Sequence, residues 1–157
     1  MEIKRDRYLE RLKRLQFKGG VKVITGLRRS GKSYLLFNIY RNYLLETGVS
    51  EDNIISIALD SVENKHLRSA EALYEEVVSR ITDDSDYYVM VDEIQFAEDF
   101  VDFVNGLVGR KNVDLYITGS NSKFLSSAHV CSFAVRTRCN SLESISRQSA
   151  FPESLLM

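Results

Sequence analysis

Short apolar runs and longer amphipathic segments alternate along the 157-residue chain. Runs rich in β-branched and aromatic residues predict four strands, at 21–25, 53–59, 87–93 and 113–118. Between these runs, apolar residues recur at the helical period and predict helices at 34–45, 69–81 and 98–108. A further amphipathic helix is predicted before the first strand, at 3–16. Strands and helices that alternate in this way predict an α/β fold with a mostly parallel sheet covered on both faces.

Two residues mark ends of the predicted helices. Ser69 stands at the start of the helix at 69–81, where its hydroxyl can accept a hydrogen bond from the first turn. Gly48 follows the helix at 34–45, and a glycine there can adopt the positive φ that ends many helices. Both residues agree with the boundaries that the apolar period predicts.

The link between the first strand and the following helix matches the pattern G-x-x-x-x-G-K-[ST], which is typical of loops that hold nucleoside triphosphate phosphates. The loop consists of Gly26, Leu27, Arg28, Arg29, Ser30, Gly31, Lys32 and Ser33. Its glycines allow the backbone to curl until several N–H groups point at one anion. Lys32 can then reach the β- and γ-phosphates, and the Ser33 hydroxyl can ligate Mg²⁺. We therefore expect the loop to bind a nucleotide, helped by the dipole of the helix that follows.

Arg28 and Arg29 lie within this loop and are candidate nucleotide contacts. A guanidinium group can bind phosphate or a partner molecule, and projection into solvent is the alternative. The sequence leaves both interpretations open.

Two acids end the third predicted strand. Asp92 follows an apolar run, where a phosphate-binding fold needs a second anchor for Mg²⁺. Glu93, the next residue, points to a different side and can polarise the water that attacks the γ-phosphate. An acidic pair after a strand is otherwise typical of a solvated strand end. Its position 60 residues after Lys32 favours the catalytic interpretation.

Polar residues also follow the fourth predicted strand. Thr118, Ser120 and Asn121 are candidates to hydrogen-bond the γ-phosphate or the attacking water, and we favour Asn121 for its amide. A capped turn that leads into a short helix is the alternative. Because ligands of parallel sheets bind beyond the carboxyl ends of the strands, these residues and the two acids are expected at one edge.

Charge is spread unevenly along the chain, although the net charge is −1. Residues 1–33 hold 11 Lys and Arg against 3 Asp and Glu, a balance of +8, and the remainder carries −9. The basic residues of the first predicted helix favour an ordinary solvated face, and contact with nucleic acid is the alternative. A protein partner or a homo-oligomer is a further hypothesis that the sequence does not decide.

Several classes of protein are disfavoured by the composition. No apolar run approaches the roughly 20 residues that span a bilayer, and the charged N-terminus lacks a signal-peptide core. Cys131 and Cys139 have no metal-ligand partners at a suitable spacing. We therefore expect a cytoplasmic protein without a membrane partner.

Three motifs, in this order and spacing, resemble the AAA-type P-loop ATPases of bacteria and archaea, in which the ATPase module precedes a second domain of unknown function. The motifs are GLRRSGKS at 26–33, YYVMVDEIQ at 87–95 and YITGSNS at 116–122. The likeness covers about residues 4–127, including the Arg-Asp-x-Tyr-Leu opening at 5–9. It implies a three-layer P-loop NTPase sandwich of the additional-strand type, with Glu93 as catalytic base and 118–121 as sensor. It also favours ATP, and no Asn-Lys-x-Asp run that would recognise guanine is present.

The likeness stops where the composition changes. Residues 128–157 contain both cysteines and the only proline, with no glycine and no lysine, and no Gly-Arg pair follows Asn121. We therefore predict a P-loop ATPase core at 1–127 and a divergent tail at 128–157, and the chain looks like a truncated N-terminal ATPase module. One hypothesis is that the tail is an out-of-frame end. The alternative is a genuine final strand and helix, with the strand at 131–135.

Three functions compete at this point. The first is an ATPase module that hydrolyses ATP to drive a conformational change, with Glu93, Lys32 and Asn121 as catalytic residues. The second is a remnant that binds ATP and Mg²⁺ with negligible turnover. The third is a small-molecule kinase, which would need an arginine-rich lid that the sequence does not show.

Overall fold

The computed structural model describes residues 3–120 and 132–136 of the chain. Its five strands are β1 (Val21–Thr25), β2 (Ile54–Ala58), β3 (Tyr87–Asp92), β4 (Val113–Gly119) and β5 (Ser132–Arg136). Its α-helices are α1 (Ile3–Leu15), α2 (Lys32–Tyr34), α3 (Arg41–Glu46), α4 (Ala70–Arg80) and α5 (Phe100–Val108). A π-helical segment, Leu35–Tyr40, joins α2 to α3. Short 3₁₀ turns lie at Glu51–Asn53, Val62–Leu67 and Ile94–Phe96.

The strands form one parallel sheet in the order β2-β3-β4-β1-β5. The predicted α/β fold with a parallel sheet is therefore confirmed. β5 lies in the predicted tail and pairs with β1. It begins and ends one residue later than the strand at 131–135 that was expected if the tail is genuine. The predicted boundary at residue 127 and the origin of the tail stay predictions.

Two hydrophobic clusters cover the two faces of the sheet. On one face, strand residues pack against α4 and α5, with Leu73, Val77 and Phe103 buried. On the other face, α1 and the helix that starts at Lys32 pack against the sheet through Leu12 and Leu36. The sheet is therefore the middle layer of three, as the sequence predicted.

Two predicted helix boundaries are confirmed. Ser69 caps α4, because its side chain accepts a hydrogen bond from the Ala72 N–H at 3.2 Å. Gly48 has a φ of 96° after α3, and the N–H of Val49 donates to the carbonyl of Leu44 at 3.0 Å. The glycine thus closes the helix end by taking a conformation that other residues rarely adopt.

The predicted start of α5 was wrong by two residues. The backbone of Glu98 is engaged with the neighbouring segment instead, because its N–H donates to Arg68 and its carbonyl accepts from Ala70. The chain then turns through Asp99, which has a φ of 52°, before the helix begins at Phe100. A non-local backbone pairing therefore delays a helix that the apolar period alone would start earlier.

A buried polar cluster lies near the amino ends of β1 and β4. The ammonium group of Lys22 is paired with the carboxylate of Asp114, and both side chains are about 1% exposed. The same carboxylate accepts hydrogen bonds from the Phe17 N–H at 3.0 Å and from the Tyr116 hydroxyl at 2.5 Å. Tyr116 in turn lies 2.6 Å from the Tyr40 hydroxyl of the π-helical segment. The cluster therefore joins the two central strands to the helices on one face.

Within the described residues, no helix is both long enough and apolar enough to cross a membrane.

Candidate functional site

The G-x-x-x-x-G-K-[ST] loop connects the carboxyl end of β1 to α2. Two of its residues have positive φ, Arg29 at 62° and Gly31 at 85°. The Ser30 N–H closes a turn by donating to the Leu27 carbonyl at 3.1 Å. A Cβ atom at Gly31 would meet nothing within 4 Å, so glycine is favoured there by its backbone conformation and not by lack of space.

The Lys32 side chain lies inside the curve of this loop. The residue is only 3% exposed, and its ammonium group donates to the carbonyls of Gly26 at 3.1 Å and Leu27 at 2.8 Å. No carboxylate takes part in these bonds. The positive charge is therefore held within the loop by neutral dipoles, where an anion would find it without displacing a counter-charge.

Asp92, at the end of β3, faces the start of α2. Its Oδ2 accepts a hydrogen bond from the Ser33 hydroxyl at 2.7 Å, and its Oδ1 accepts one from the Thr118 hydroxyl. Burial raises the pKa of the Asp92 carboxyl, and the two hydroxyl hydrogen bonds oppose that rise. Among the residues that the structure describes, two hydroxyl groups donate to this carboxylate.

Ser33 and Asp92 provide the donor set of a candidate magnesium site. Both offer hard oxygen atoms, and their 2.7 Å contact places the two atoms side by side. Mg²⁺ prefers oxygen ligands and is commonly held by one or two protein groups together with phosphate and water. No cluster of three or more His, Cys, Asp or Glu side chains suited to a metal occurs in 3–120 or 132–136. The residues present fit a magnesium ion held largely by nucleotide, and do not form a closed protein cage.

Glu93 follows Asp92 in an unusual backbone conformation. Its φ of 54° and ψ of 50° lie in the left-handed region, which is sparsely populated by residues other than glycine. Its N–H donates to the Thr118 hydroxyl at 2.9 Å, which holds the turn against β4. The Glu93 carboxylate accepts hydrogen bonds from Gln95 and, at 3.5 Å, from Ser120.

The structure brings most of the predicted site residues together. Ser33 and Asp92 share a hydrogen bond, and Ser120 contacts Glu93. Lys32 and Glu93 are the sequence neighbours of the first pair. Gly26, Ser30 and Gly31 form the loop itself. Asn121 lies outside the described residues, so its predicted role stays a prediction.

The predicted nucleotide contacts of Thr118, Arg28 and Arg29 stay predictions. Thr118 is fully buried, and its hydroxyl donates to Asp92 and accepts from the Glu93 N–H. Arg28 and Arg29 are both exposed, which agrees with the alternative that they project into solvent. Their contact with a nucleotide remains untested.

Two features of the structure, one in the site and one at the opposite end of the sheet, were not predicted from the sequence. Gln95 contacts Glu93, and only its position two residues after a candidate base could have drawn attention to it. The Lys22–Asp114 pair was also missed, although each residue is the one charged position within an otherwise uncharged strand. That shared position was the available signal, because charges buried in neighbouring strands need a partner.

This chain matches a known protein family. A family model described as AAA domain matches residues 18–148 of this chain. The match includes the loop, both acids and the end of β4.

Two curated proteins are similar to this chain. An uncharacterised protein of Haemophilus influenzae is 39% identical over 127 residues, which cover 79% of this chain and 31% of that protein. An uncharacterised protein of Methanocaldococcus jannaschii is 32% identical over 110 residues, which cover 68% of this chain and 22% of that protein. The chain therefore spans less than a third of either relative.

Solved structures share the fold at low sequence identity. C. elegans PCH-2 has a TM-score of 0.57 at 14% identity, over 86% of this chain and 41% of that chain. A DNA polymerase III gamma subunit-related protein of Thermotoga maritima has a TM-score of 0.58 at 14% identity, over 87% and 47%. A chain of Drosophila ORC bound to DNA has a TM-score of 0.52 at 11% identity, over 94% and 96%. These likenesses confirm the P-loop NTPase fold and carry no more than the fold.

Proposed function

This chain belongs to the AAA domain family, and we propose that it binds ATP with Mg²⁺ and hydrolyses the terminal phosphoanhydride bond. The observation that carries the proposal is the grouping at one sheet edge. Lys32 is held inside the loop by carbonyl groups, while Ser33 and Asp92 share a hydrogen bond beside it. Glu93 follows Asp92 in a left-handed backbone conformation.

The loop supplies the binding step. Its backbone N–H groups and the start of α2 favour phosphate, and Lys32 can exchange its carbonyl contacts for phosphate oxygens. Ser33 and Asp92 would hold Mg²⁺, which when bound neutralises charge on the phosphates. We infer that ATP is the nucleotide, because the chain contains no Asn-Lys-x-Asp run for guanine.

Glu93 supplies the chemical step. Its carboxylate accepts a proton from a water molecule whose oxygen attacks the γ-phosphorus. The bond between the γ-phosphorus and the β,γ-bridging oxygen breaks, and the products are ADP and inorganic phosphate. The Thr118 hydroxyl positions both acids, since it donates to Asp92 and accepts from the Glu93 N–H.

A single-turnover experiment with ATP labelled on its γ-phosphate tests this proposal. Glu93→Gln should retain ATP binding while phosphate release slows by roughly 10²- to 10⁴-fold, the range for loss of a general base. Glu98→Gln is the matched control, because Glu98 is an exposed acid five residues further along the chain. Unchanged release in Glu93→Gln would contradict the assignment. Tight binding with no release by the unaltered chain would favour a nucleotide-binding remnant.

A small-molecule kinase is the weaker alternative. It would transfer the γ-phosphate to an acceptor other than water. Incubation with labelled ATP in the absence of any acceptor separates the two, because an ATPase releases inorganic phosphate under that condition and a strict kinase does not.

We also propose nucleic acid as an accessory partner. Arg7, Arg11 and Arg14 are exposed on α1 at the spacing of one helical face, whereas Lys13 is paired with Glu10 at 2.7 Å. Charge removal by Arg7→Gln, Arg11→Gln and Arg14→Gln should weaken binding to duplex DNA and lower its salt dependence. The matched control neutralises three basic residues elsewhere, Lys65, Arg80 and Lys111. Equal binding by both triple variants would contradict the proposal.

The remaining proposals concern a longer protein. ATP hydrolysis would drive a conformational change in a second domain or in a partner, including another copy of this chain. A cytoplasmic location is part of the same proposal. Translation of the gene's other reading frames beyond codon 127 tests whether the tail is out of frame, since no family-like continuation in either frame would contradict that hypothesis.

A further inference from the structure

Gln95 lies in the short turn Ile94–Phe96 that follows the two acids. Its Nε2 donates a hydrogen bond to Oε2 of Glu93 and lies 3.3 Å from the Ser120 hydroxyl. The same hydroxyl lies 3.5 Å from Glu93 Oε2. The carboxylate that the proposed mechanism uses as a base is therefore contacted by side chains from two elements, the turn after β3 and the end of β4.

The orientation of the Gln95 amide follows from charge. Its NH₂ group faces an acceptor carboxylate, whereas a flipped amide would place one oxygen against another. Its Oε1 atom is buried and accepts no hydrogen bond from the part of the chain that the structure describes. The amide is thus directed by its bond to Glu93 and not by a bond at its opposite end.

The backbone of Glu93 is fixed separately from its side chain. The N–H of Glu93 donates to the Thr118 hydroxyl at 2.9 Å, and the carbonyl of Glu93 accepts from the Phe96 N–H at 3.0 Å. With the backbone held in the left-handed region, the remaining freedom of Glu93 lies in its side-chain torsions. Those torsions decide where the Glu93 carboxylate lies, and Gln95 contacts that carboxylate.

We propose that Gln95 is a positioning residue for the Glu93 carboxylate. Its hydrogen bond engages Oε2 and leaves Oε1, which accepts no hydrogen bond from a described residue, to receive the proton of the attacking water. This inference rests on the proposed ATPase function. It adds that the geometry of the base is set by an amide two residues away, together with the hydroxyl of Ser120, the residue after β4.

Gln95→Met tests the inference, because methionine keeps the length of the side chain and removes the hydrogen-bond donor. The kcat for ATP hydrolysis should fall about 10-fold or more, while the Kd for a fluorescent ATP analogue changes by less than about 2-fold. Gln95→Asn, which withdraws the amide by one methylene group, should give a smaller loss in the same direction. Gln16→Met is the matched control, because the Gln16 amide also donates to a side-chain oxygen, the Tyr40 hydroxyl at 2.9 Å, on the opposite face.

A double-variant experiment separates positioning from a general structural role. In the Glu93→Gln background, Gln95→Met should cause no further loss of turnover, because the residue acts only through the base. An equal fractional loss in both backgrounds, or an unchanged kcat in Gln95→Met alone, would overturn the inference. If turnover depends on Glu93 but not on Gln95, the inference about Gln95 is wrong and the proposed function stands. Absence of turnover in the unaltered chain would overturn both.

Discussion

Each end of the central sheet holds a buried lysine and a buried aspartate, but their hydrogen-bond partners differ between the two ends. Near the amino ends, Lys22 and Asp114 are paired directly, so each charge neutralises the other. Near the carboxyl ends, Lys32 donates to carbonyl groups and Asp92 accepts from hydroxyl groups. In the first arrangement, neither charge needs a further partner of opposite sign. The second leaves each charge with neutral partners, which suits an anion at the lysine and a cation at the aspartate.

The difference indicates that burial of charge is not by itself evidence of a functional site. What distinguishes the carboxyl end is that Lys32 contacts carbonyl groups of the loop and Asp92 contacts two hydroxyl groups. The direct pair instead links structural elements, because Asp114 also accepts hydrogen bonds from Phe17 and Tyr116. Four predictions test this comparison.

The largest effect is expected from breaking the direct pair. Lys22→Met leaves the Asp114 carboxylate buried without its counter-charge and should lower the free energy of unfolding by about 3–5 kcal/mol. Adding Asp114→Asn should recover most of that loss, because the uncompensated charge is gone and the amide oxygen still accepts from Phe17. Urea denaturation of both variants measures the difference. A loss below about 1 kcal/mol in Lys22→Met would contradict the comparison.

The second effect concerns the lysine of the loop. Lys32→Ala should weaken binding of Mg-ATP by roughly 10- to 100-fold, because charge-assisted contacts with phosphate are lost. Its stability should change far less than in Lys22→Met, since Lys32 neutralises no carboxylate of residues 3–120 and 132–136. Isothermal titration calorimetry measures the affinity. If neither the unaltered chain nor Lys32→Ala gives heat with Mg-ATP, the assignment of the loop is wrong.

The third effect depends on pH. Because burial raises the pKa of Asp92, the folded chain binds a proton there more tightly than the unfolded chain does. Ionised Asp92 therefore lowers stability above its folded pKa, and this penalty disappears as the pH falls through that pKa toward the unfolded value. Asp92→Asn should raise the melting temperature at pH 7, with a gain that shrinks in acid. A gain that is constant with pH would contradict the charge argument.

The smallest effect is expected at Glu93. Asparagine tolerates the left-handed conformation better than glutamate, so Glu93→Asn should raise the free energy of unfolding by about 0.5 kcal/mol. Turnover should fall at the same time, because the shorter side chain lacks the reach of the base. Chemical denaturation and phosphate release are measured on the same preparation. A loss of stability would show that the backbone of this turn is not strained.

Much of the fold could be predicted from local pattern. β1 was predicted at its observed bounds, and the predicted roles of Ser69 and Gly48 at helix ends were confirmed, because strand runs and caps depend on residues close in sequence. The loop was recognisable for the same reason, since its chemistry requires fixed residues at fixed spacing. The start of α5 was not predictable in this way, because it depends on a backbone pairing between Glu98 and the segment before α4.

The sequence by itself determined the alternation of strands and helices, the phosphate loop and the acids that follow β3. Tertiary structure alone decided that the Thr118 hydroxyl contacts both acids, that Gln95 directs its amide at Glu93, and that Lys22 meets Asp114. The physical reason is that these contacts join residues whose partner depends on strand order and on turn conformation. Neither strand order nor a left-handed turn at a glutamate is encoded in a local pattern of apolar and polar residues.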